Sequence, residues 1–369
     1  MKITGIGISH HRLPLDPPFH ASWDSKPRTA FDATIVRVTT DEGVTGYGSG
    51  DTMTGFAGHE HLFIGEDPMA IERHYRILSN IQFHYGRCWP LDLALWDLAG
   101  KITGQPVWKL LGGLTNRVPA YASSGTLRKP EELADAAEAY LGQGFRALKI
   151  RFHRGDWRVD IKALEAVRAR VGAKLDLMVD CNQGWRMAWD AYAPWSLKDA
   201  VPVARELERL AVYWMEEPLH RSDREGMRRL REMVDIRIAG GEMTREVSEF
   251  RDLIRDGCLD VIQPDAALVG GITGLRRVAA MAHENNLVFT PHTWTNGMGV
   301  TANVHLAAGL ADAPFVEFPY DPPEWTLPRR DFMMVEPLAV DSDGMIRLGE
   351  EPGMGYALDE KMLEKTQIG

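Results

Sequence analysis

The stretch ALKIRFH, Ala147 to His153, reads as a buried strand, yet it carries Lys149 and Arg151 two residues apart. A strand sends alternate side chains to the same face, so both charges point the same way out of a run that otherwise looks like core. Burying a charge is unfavourable unless it is paired, so a partner must be sought. Later apolar runs end in the same manner. One ends at Asp180, followed by Asn182; another, WMEEPL, carries Glu216 and Glu217. AGGEM supplies Glu242, QPDAALVGG supplies Asp265, TPHTW supplies His292 and VEF supplies Glu317. One charged strand end is ordinarily a helix cap or a surface ion pair. Seven in series predict side chains that converge on one space.

If they converge, Asp180, Glu216 and Glu242 are three carboxylates crowded together, and like charges at that range need a counter-charge. A hard divalent cation supplies it: carboxylate oxygens with retained water suit Mg2+ best, with Mn2+ as a substitute. No Cys/His cluster points to zinc. Asp265 and His292 pair a carboxylate with an imidazole. Such a carboxylate orients the ring and raises its pKa, so that His292 serves as a base or, once protonated, as an acid. Gly270-Gly271 lacks the rest of a phosphate-binding loop and reads as a turn.

The elements that must position these groups are rhythmic. Strands fit near 118–122, 145–151, 175–180, 211–216, 236–241, 259–263, 287–291 and 314–317, with helices between them. Val159 to Val171 places Ile161, Leu164, Val167 and Val171 on one helical face, and Glu246 to Asp256 does the same with Val247, Phe250 and Ile254. Alternation at about 25–35 residues per unit predicts a parallel (β/α) barrel, whose active sites form at the C-terminal ends of the strands. An open doubly wound sheet is the competing architecture, but no GxGxxG follows the first strand. Residues 1–117 read as an α+β unit with strands near 2–9, 33–40 and 44–48, a hairpin at Asp41-Glu42-Gly43, and a helix at 90–103 opened by Pro90 and closed by Gly104. The stretches 12–30 and 50–60 show no periodicity and read as long loops. Beyond about residue 335 the barrel rhythm stops, and the tail is expected to pack back on the first unit.

With 369 residues and 44% hydrophobic content, the chain can fill one large and one smaller domain. A net charge of −10 with no basic run argues against nucleic acid as a partner. No apolar stretch approaches the roughly 20 residues that span a bilayer, so no membrane partner is expected. The opening MKITGIGISHHRLPL alternates like a strand and lacks a signal-peptide core. Cys88, Cys181 and Cys258 form no paired framework, which predicts a reducing, cytoplasmic location. Cys181 reads as a small buried residue.

The ordered series of strand ends, together with LDLALWDLAGKITGQPVWKLLGG from Leu91 to Gly113, resembles the mandelate racemase subgroup of the enolase superfamily over nearly the whole chain. The resemblance implies an α+β capping domain at 1–117, a modified (β/α)7β TIM barrel at 118–334, and a segment at 335–369 that completes the cap. It carries the metal ligands to Asp180, Glu216 and Glu242 and the acid–base dyad to Asp265 and His292. Glu317 matches the eighth-strand acid that, when protonated, hydrogen-bonds a substrate carboxylate oxygen. The loops near 15–27 and 50–60 match those that select substrate. His20, Trp23 and Lys26, and Thr52, Met53 and Phe56, are the candidate contacts there, with Asn182 and Trp294 inside the barrel and His153 and Arg154 past the second strand end. The partner implied is a small-molecule carboxylate, and the assembly a homo-oligomer, a dimer or an octamer.

The chemistry implied is removal of a proton α to a carboxylate through an ene-diolate that Mg2+ stabilises. Family members often carry Lys-x-Lys on the second strand, whereas here it is Lys149-Ile150-Arg151. Arginine stays protonated and is a poor base, but a good fork for an anion. Lys149 is left as the one base on that side, and His292 as the surer base. One competent base favours dehydration of an acid sugar to a 2-keto-3-deoxy acid. Cycloisomerisation of a sugar-acid lactone or anhydro sugar acid comes next, then racemisation or epimerisation. A non-catalytic metal-binding scaffold is the remaining alternative.

Overall fold

The computed structural model describes residues 1–187, 189–190, 192–311 and 313–368. β1 (Ile3–Phe19), β2 (Arg28–Thr40) and β3 (Thr45–Gly50) form an antiparallel sheet in that order. The β2–β3 hairpin turns at Gly43, where φ is +78°. Two helices cover the sheet, α1 (Ile71–Tyr85) and α2 (Pro90–Thr103). β3 lies flush on α2 because Gly48 has no side chain: a Cβ there would sit 2.1 Å from the Pro90 carbonyl oxygen. Val36, Val38, Leu78, Leu91, Leu95 and Leu98 fill the space between sheet and helices. A short helix, α3 (Val107–Leu111), leads out of this cap.

Eight parallel strands follow: β4 (Arg117–Ser123), β5 (Ala147–Arg151), β6 (Asp176–Asp180), β7 (Val212–Glu216), β8 (Arg237–Gly240), β9 (Val261–Ile262), β10 (Val288–Phe289) and β11 (Val316–Pro319). Seven helices connect them. These are α4 (Pro130–Gly142), α5 (Trp157–Val171), α6 (Leu197–Arg209), α7 (Arg224–Met233), α8 (Val247–Arg255), α9 (Gly271–Glu284) and α10 (Gly297–Leu310). Ladders run from β10 through β4 to β11. Between β10 and β11 side chains link the strand ends, with Thr293 donating from its backbone N to Glu317 Oε2 and from Oγ1 to the Glu317 carbonyl, both at 2.8 Å. The result is the expected (β/α)7β barrel. Leu148, Ile150, Leu177, Val179, Met215 and Ile238 point outward into the layer shared with the helices. Each fully buried aliphatic side chain there contributes about 1.5–3 kcal/mol. α10 is almost wholly buried, with its polar Thr301, Asn303 and His305 hydrogen-bonded inside the protein.

Several details depart from the sequence reading. The stretch 12–30 is not one long loop: β1 runs on to Phe19 and β2 begins at Arg28. Pro14, Pro17 and Pro18 are accommodated because β1 is an edge strand, where a missing N–H breaks no ladder. Helix α1 lies in a stretch where no element is predicted. The last barrel strands are shorter than their apolar runs, with β9 and β10 spanning two residues each. The tail does not pack on the cap alone. Its strand β12 (Met345–Arg347), which follows a single-turn α11 (Leu327–Arg330), pairs antiparallel with barrel strand β4. The rest does return to the cap, where α12 (Glu360–Thr366) packs on β1 and the Leu363 carbonyl meets His11 Nδ1 at 3.0 Å. No described helix is long and apolar enough to cross a membrane.

Asp97 on α2 fastens these pieces. Its buried carboxylate accepts from Tyr47 N on β3 at 2.8 Å, from Met354 N in the tail at 2.7 Å and from Lys101 Nζ at 2.7 Å. Asp97→Ala strands two buried backbone N–H groups, and urea unfolding followed by circular dichroism is expected to show a loss of about 3 kcal/mol. A loss below about 0.5 kcal/mol, the range of an ordinary surface substitution, would remove this role.

Candidate active site

Strand alternation builds the site. Tyr121, Ala147, Met178, Trp214, Ala239 and Val261 form an inward-facing cluster low in the barrel. Two residues further along the strands, the same face presents Ser123, Lys149, Asp180 and Glu216, with Arg151 one step higher on β5. The parallel ladders set Arg151 beside Asp180 and Asp180 beside Glu216. The charged layer is therefore the upper storey of the barrel interior, resting on a packed apolar one.

Asp180, Glu216 and Glu242 each offer an oxygen within 4.8 Å of the others, and all three are buried. Glu216 Oε2 is held by Trp214 Nε1 at 3.1 Å and Gln263 Nε2 at 2.9 Å, and Glu242 Oε1 by Trp185 Nε1 at 3.1 Å. Glu242 Oε2 is buried without a hydrogen bond. Oxygen-only donors, mutual proximity and an orphaned carboxylate oxygen fit a hard divalent cation. Burial pushes the Asp180 and Glu216 carboxyls above their ordinary values, against the pull of Arg151 on the first and Lys149 on the second. Glu217 lies behind them at a φ of +45°. Burial, reinforced by Glu242, pushes its carboxyl well above the usual range.

Lys149 is completely buried and bridges two acids, Glu216 Oε1 at 2.6 Å and Glu317 Oε1 at 2.7 Å. Burial works against its charge, but Glu216 and Glu317 overcome it and hold the ammonium above its ordinary value. Arg151 pairs with Asp180, donates from Nε to the Ser124 carbonyl at 3.0 Å, and lies 4.8 Å from the Trp23 ring centre and 5.6 Å from that of Trp294. Its fork is thus turned to a metal-site carboxylate and roofed by indoles rather than held open for an anion. Glu317 is expected to hydrogen-bond a substrate carboxylate oxygen if it carries a proton. Burial favours the acid form, but Lys149, His292 and Arg151 outweigh it and hold Glu317 ionised, below the usual carboxylate range.

Across the barrel, His292 Nδ1 meets Asp265 Oδ2 at 3.1 Å. Asp265 Oδ1 accepts from Ala267 N at 2.9 Å and from Asn303 Nδ2 at 3.1 Å, which fixes the carboxylate in place. His292 Nε2 faces inward, 3.4 Å from Glu242 Oε2 and 3.8 Å from Glu317 Oε2. Burial lowers the imidazole pKa, but Glu242, Glu317 and the Asp265 hydrogen bond raise it to about 9. A cation bound at Glu242 cancels part of that field and brings the value down.

Asp180, Glu216, Glu242, Lys149, Arg151, Asp265, His292 and Glu317 are all brought together, as is Asn182, whose N donates to Asp180 Oδ1 at 2.8 Å while its own Oδ1 stays unpartnered. Trp23 and Trp294 roof the site, and Trp294 Nε1 donates to Ser123 Oγ at 2.9 Å. His20 does not join them: it is exposed and turns to Glu324 Oε2 at 3.1 Å. Lys26 is exposed, and Met53 and Phe56 are spent in the cap core. His153 and Arg154 line a separate cavity of about 450 Å3 with Trp157, Gln183 and Trp195. Cys181 is buried, as expected. Sequence reasoning missed Ser123 and Trp214, which alternation along their strands would have found. It also missed Trp185, Gln263 and Asn303, whose side chains reach the site only through loop and helix placement.

Residues 3–112 match the mandelate racemase / muconate lactonizing enzyme N-terminal domain, and residues 132–362 match the enolase C-terminal domain-like family. The chain belongs to the mandelate racemase and muconate lactonizing branch of the enolase superfamily. A 3,6-anhydro-alpha-L-galactonate cycloisomerase from Streptomyces coelicolor is 33% identical over 76% of this chain and 71% of its own. A D-gluconate dehydratase from Thermoproteus tenax is 30% identical over 93% of this chain and 71% of its own. A racemase from Streptomyces coelicolor A3(2), solved with bound magnesium, superposes with a TM-score of 0.85 at 28% identity, covering 99% of this chain and all of that one.

Burial pushes Asp180 and Glu216, two of the three acids placed to hold a metal, above the ordinary carboxylate range, so that protons would compete with Mg2+ at milder acidity. The Mg2+ dissociation constant, read by calorimetry, is expected to rise as pH falls from about 8 to about 5.5, a window in which unperturbed carboxylates near 4 stay ionised. A constant that is flat across the window would show that these carboxylates do not hold the metal.

Proposed function

We propose that the protein removes the proton α to the carboxylate of an acid sugar and expels water from the next carbon, a hydro-lyase reaction that yields a 2-keto-3-deoxy acid. The observation that carries this reading is the asymmetry of the site. One side presents the His292–Asp265 dyad with Nε2 facing inward, 3.4 Å from Glu242 Oε2. The other presents Lys149 and Arg151, both tied to carboxylates and both protonated. Two-way inversion needs on each face a group that can both take and give a proton; Lys149 and Arg151 are fixed to carboxylates, whereas the His292 imidazole, raised to about 9 by its neighbouring acids, is brought down when a cation at Glu242 offsets them.

Asp180, Glu216 and Glu242 would hold Mg2+, which when bound would supply Lewis-acid stabilisation of the negative charge that develops on the substrate carboxylate. Lys149 adds a fixed positive charge on the same side, already placed and needing no reorganisation. Once a cation at Glu242 has lowered its pKa, His292 takes the proton at Nε2 while Asp265 holds Nδ1–H and stabilises the imidazolium. The electron pair left on the α-carbon then expels the β-hydroxyl, and the same imidazolium returns its proton to it as water. The enol that remains becomes the 2-keto acid. Trp23 and Trp294 exclude water above Arg151.

The 33% identity with a cycloisomerase keeps a second reading in view, because ring opening of an anhydro sugar acid uses the same dyad with an ether oxygen as leaving group. The deciding experiment exposes the Mg2+-loaded enzyme to acid sugars and their lactones and anhydro forms in D2O, followed by proton NMR. A 2-keto-3-deoxy product supports the dehydratase reading. A ring change without loss of water replaces it with the cycloisomerase. Silence over the whole panel overturns both and favours a scaffold.

His292→Asn is expected to lower kcat by about 10^3-fold or more with Mg2+ affinity unchanged, since it removes the acid–base group and no ligand. Dehydration that survives in this variant would move the base to Lys149.

A further inference from the structure

A cavity that the proposed chemistry leaves unused opens beside the barrel mouth. It measures about 450 Å3 and lies between the β5–α5 loop, 152–156, and the β6–α6 loop, 181–196. That volume is in the range of small-molecule sites. The strand ends divide it from the carboxylate site. Arg151 and Asn182 turn to Asp180, whereas the residues that follow them, Phe152 and Gln183, line the cavity. The two loops meet at Gly155 and Tyr192. Gly155 has a φ of +84°, and a Cβ on it would lie 2.8 Å from Tyr192 Cζ, so a glycine is needed for the ring to rest there. Tyr192 is exposed and lines the cavity from that position.

The charges of the lining are matched among themselves. Arg154 pairs with buried Asp160, Arg186 Nε lies 3.6 Å from Asp190 Oδ2, and Arg158 Nη1 lies 3.5 Å from Asp156 Oδ1. His153 Nε2 also faces Asp190, at 3.6 Å. Asp199 is spent at the start of α6, accepting from Ser196 N at 2.8 Å and from Ser196 Oγ at 2.7 Å. A charged ligand would have to break one of these pairs, and the partner left behind would lose its counter-charge. A purely apolar ligand would cut the guanidinium and carboxylate groups off from water and return no hydrogen bonds. His153 Nδ1 is already buried without a partner, and it takes or gives one hydrogen bond according to its tautomer. The remaining wall is aromatic. Trp157 is covered by the Arg158 guanidinium at 4.5 Å, which leaves half-buried Trp195 and exposed Tyr192. The ligand that suits this lining is neutral, carries hydroxyls that both donate and accept, and has an apolar C–H face to lie on an aromatic ring. A sugar ring has all three properties.

We propose that this cavity binds a neutral saccharide ring. The ring arrives either as a free saccharide or as the distal sugar of a longer acid whose carboxylate sits in the barrel; only the second source rests on the reading of the preceding subsection.

The test is calorimetric titration of the Mg2+-loaded full chain with glucose, galactose, maltose and cellobiose. At least one is expected to bind once per chain with a dissociation constant of about 1 mM or tighter. Tyr192→Ala, which removes an exposed ring, is expected to weaken that binding by about fivefold or more. His153→Phe, which removes the unpaired nitrogen, provides the same test should the tyrosine variant fail to fold. Gluconate and cellobionate separate the two sources. A sugar bound as tightly with gluconate present as without it identifies a free saccharide. Cellobionate bound about 10-fold or more tightly than either cellobiose or gluconate, with the advantage lost in Tyr192→Ala, identifies the distal ring. No binding by any of the four sugars, or binding unchanged in both variants, overturns the proposal. So does binding of inorganic phosphate that is weakened in these variants while the sugars stay silent, because it would make the cavity an anion site. Neither result alters the dehydratase reading, which the D2O experiment decides.

Discussion

The rest of this structure depends on a charge imbalance at the mouth of the barrel. Asp180, Glu216, Glu217, Glu242, Asp265 and Glu317 are all buried there, against Lys149, Arg151 and His292. Six acids against three cations would be prohibitive if each had to stay ionised and alone. The molecule resolves part of this internally. Lys149 is shared between Glu216 and Glu317, Arg151 is given to Asp180, and burial with a neighbouring acid drives Glu217 toward its neutral form. What remains uncompensated lies on the Asp180–Glu216–Glu242 side, where Glu242 Oε2 is buried without a hydrogen bond. A divalent cation is the species whose charge and ligand preference close that gap.

This explains why the two basic residues of ALKIRFH are tolerated on a core strand. Each is worth little as a free charge and much as a partner for an acid that could not otherwise be buried. It also bears on their proposed lack of a role as bases. The carboxylates that make burial of Lys149 bearable also hold its proton, and the indoles over Arg151 close that face. The one imbalance therefore sets three acids placed to hold a metal beside the His292–Asp265 dyad on which the proposed chemistry relies.

Much of this was legible in the residues. The eight-strand rhythm, the alternation that brings Lys149 and Arg151 to one face, and the series of charged strand ends all follow from periodicities that local backbone geometry enforces. Trp214 and Ser123 belonged to the same pattern and could have been read from it. Other features could not. β1 carries three prolines and looks like a loop until its edge position is known. The tail strand β12 is three residues long and acquires its identity only by pairing with β4. His20 has the right chemistry in the right loop, but it turns outward to Glu324, 304 residues away.

The sequence by itself determined the kind of protein: a (β/α)7β barrel of the enolase superfamily, with a carboxylate triad and an Asp–His pair at its strand ends. It could do so because strand period and strand order translate directly into which side chains share the barrel interior. The tertiary structure alone decided the protonation and availability of those side chains. Whether Lys149 is free or locked, whether Glu317 is acid or carboxylate, and whether Arg151 faces substrate or Asp180 depend on distances of a few ångströms between residues far apart in the chain. Electrostatic energy in a buried site varies steeply over just that range.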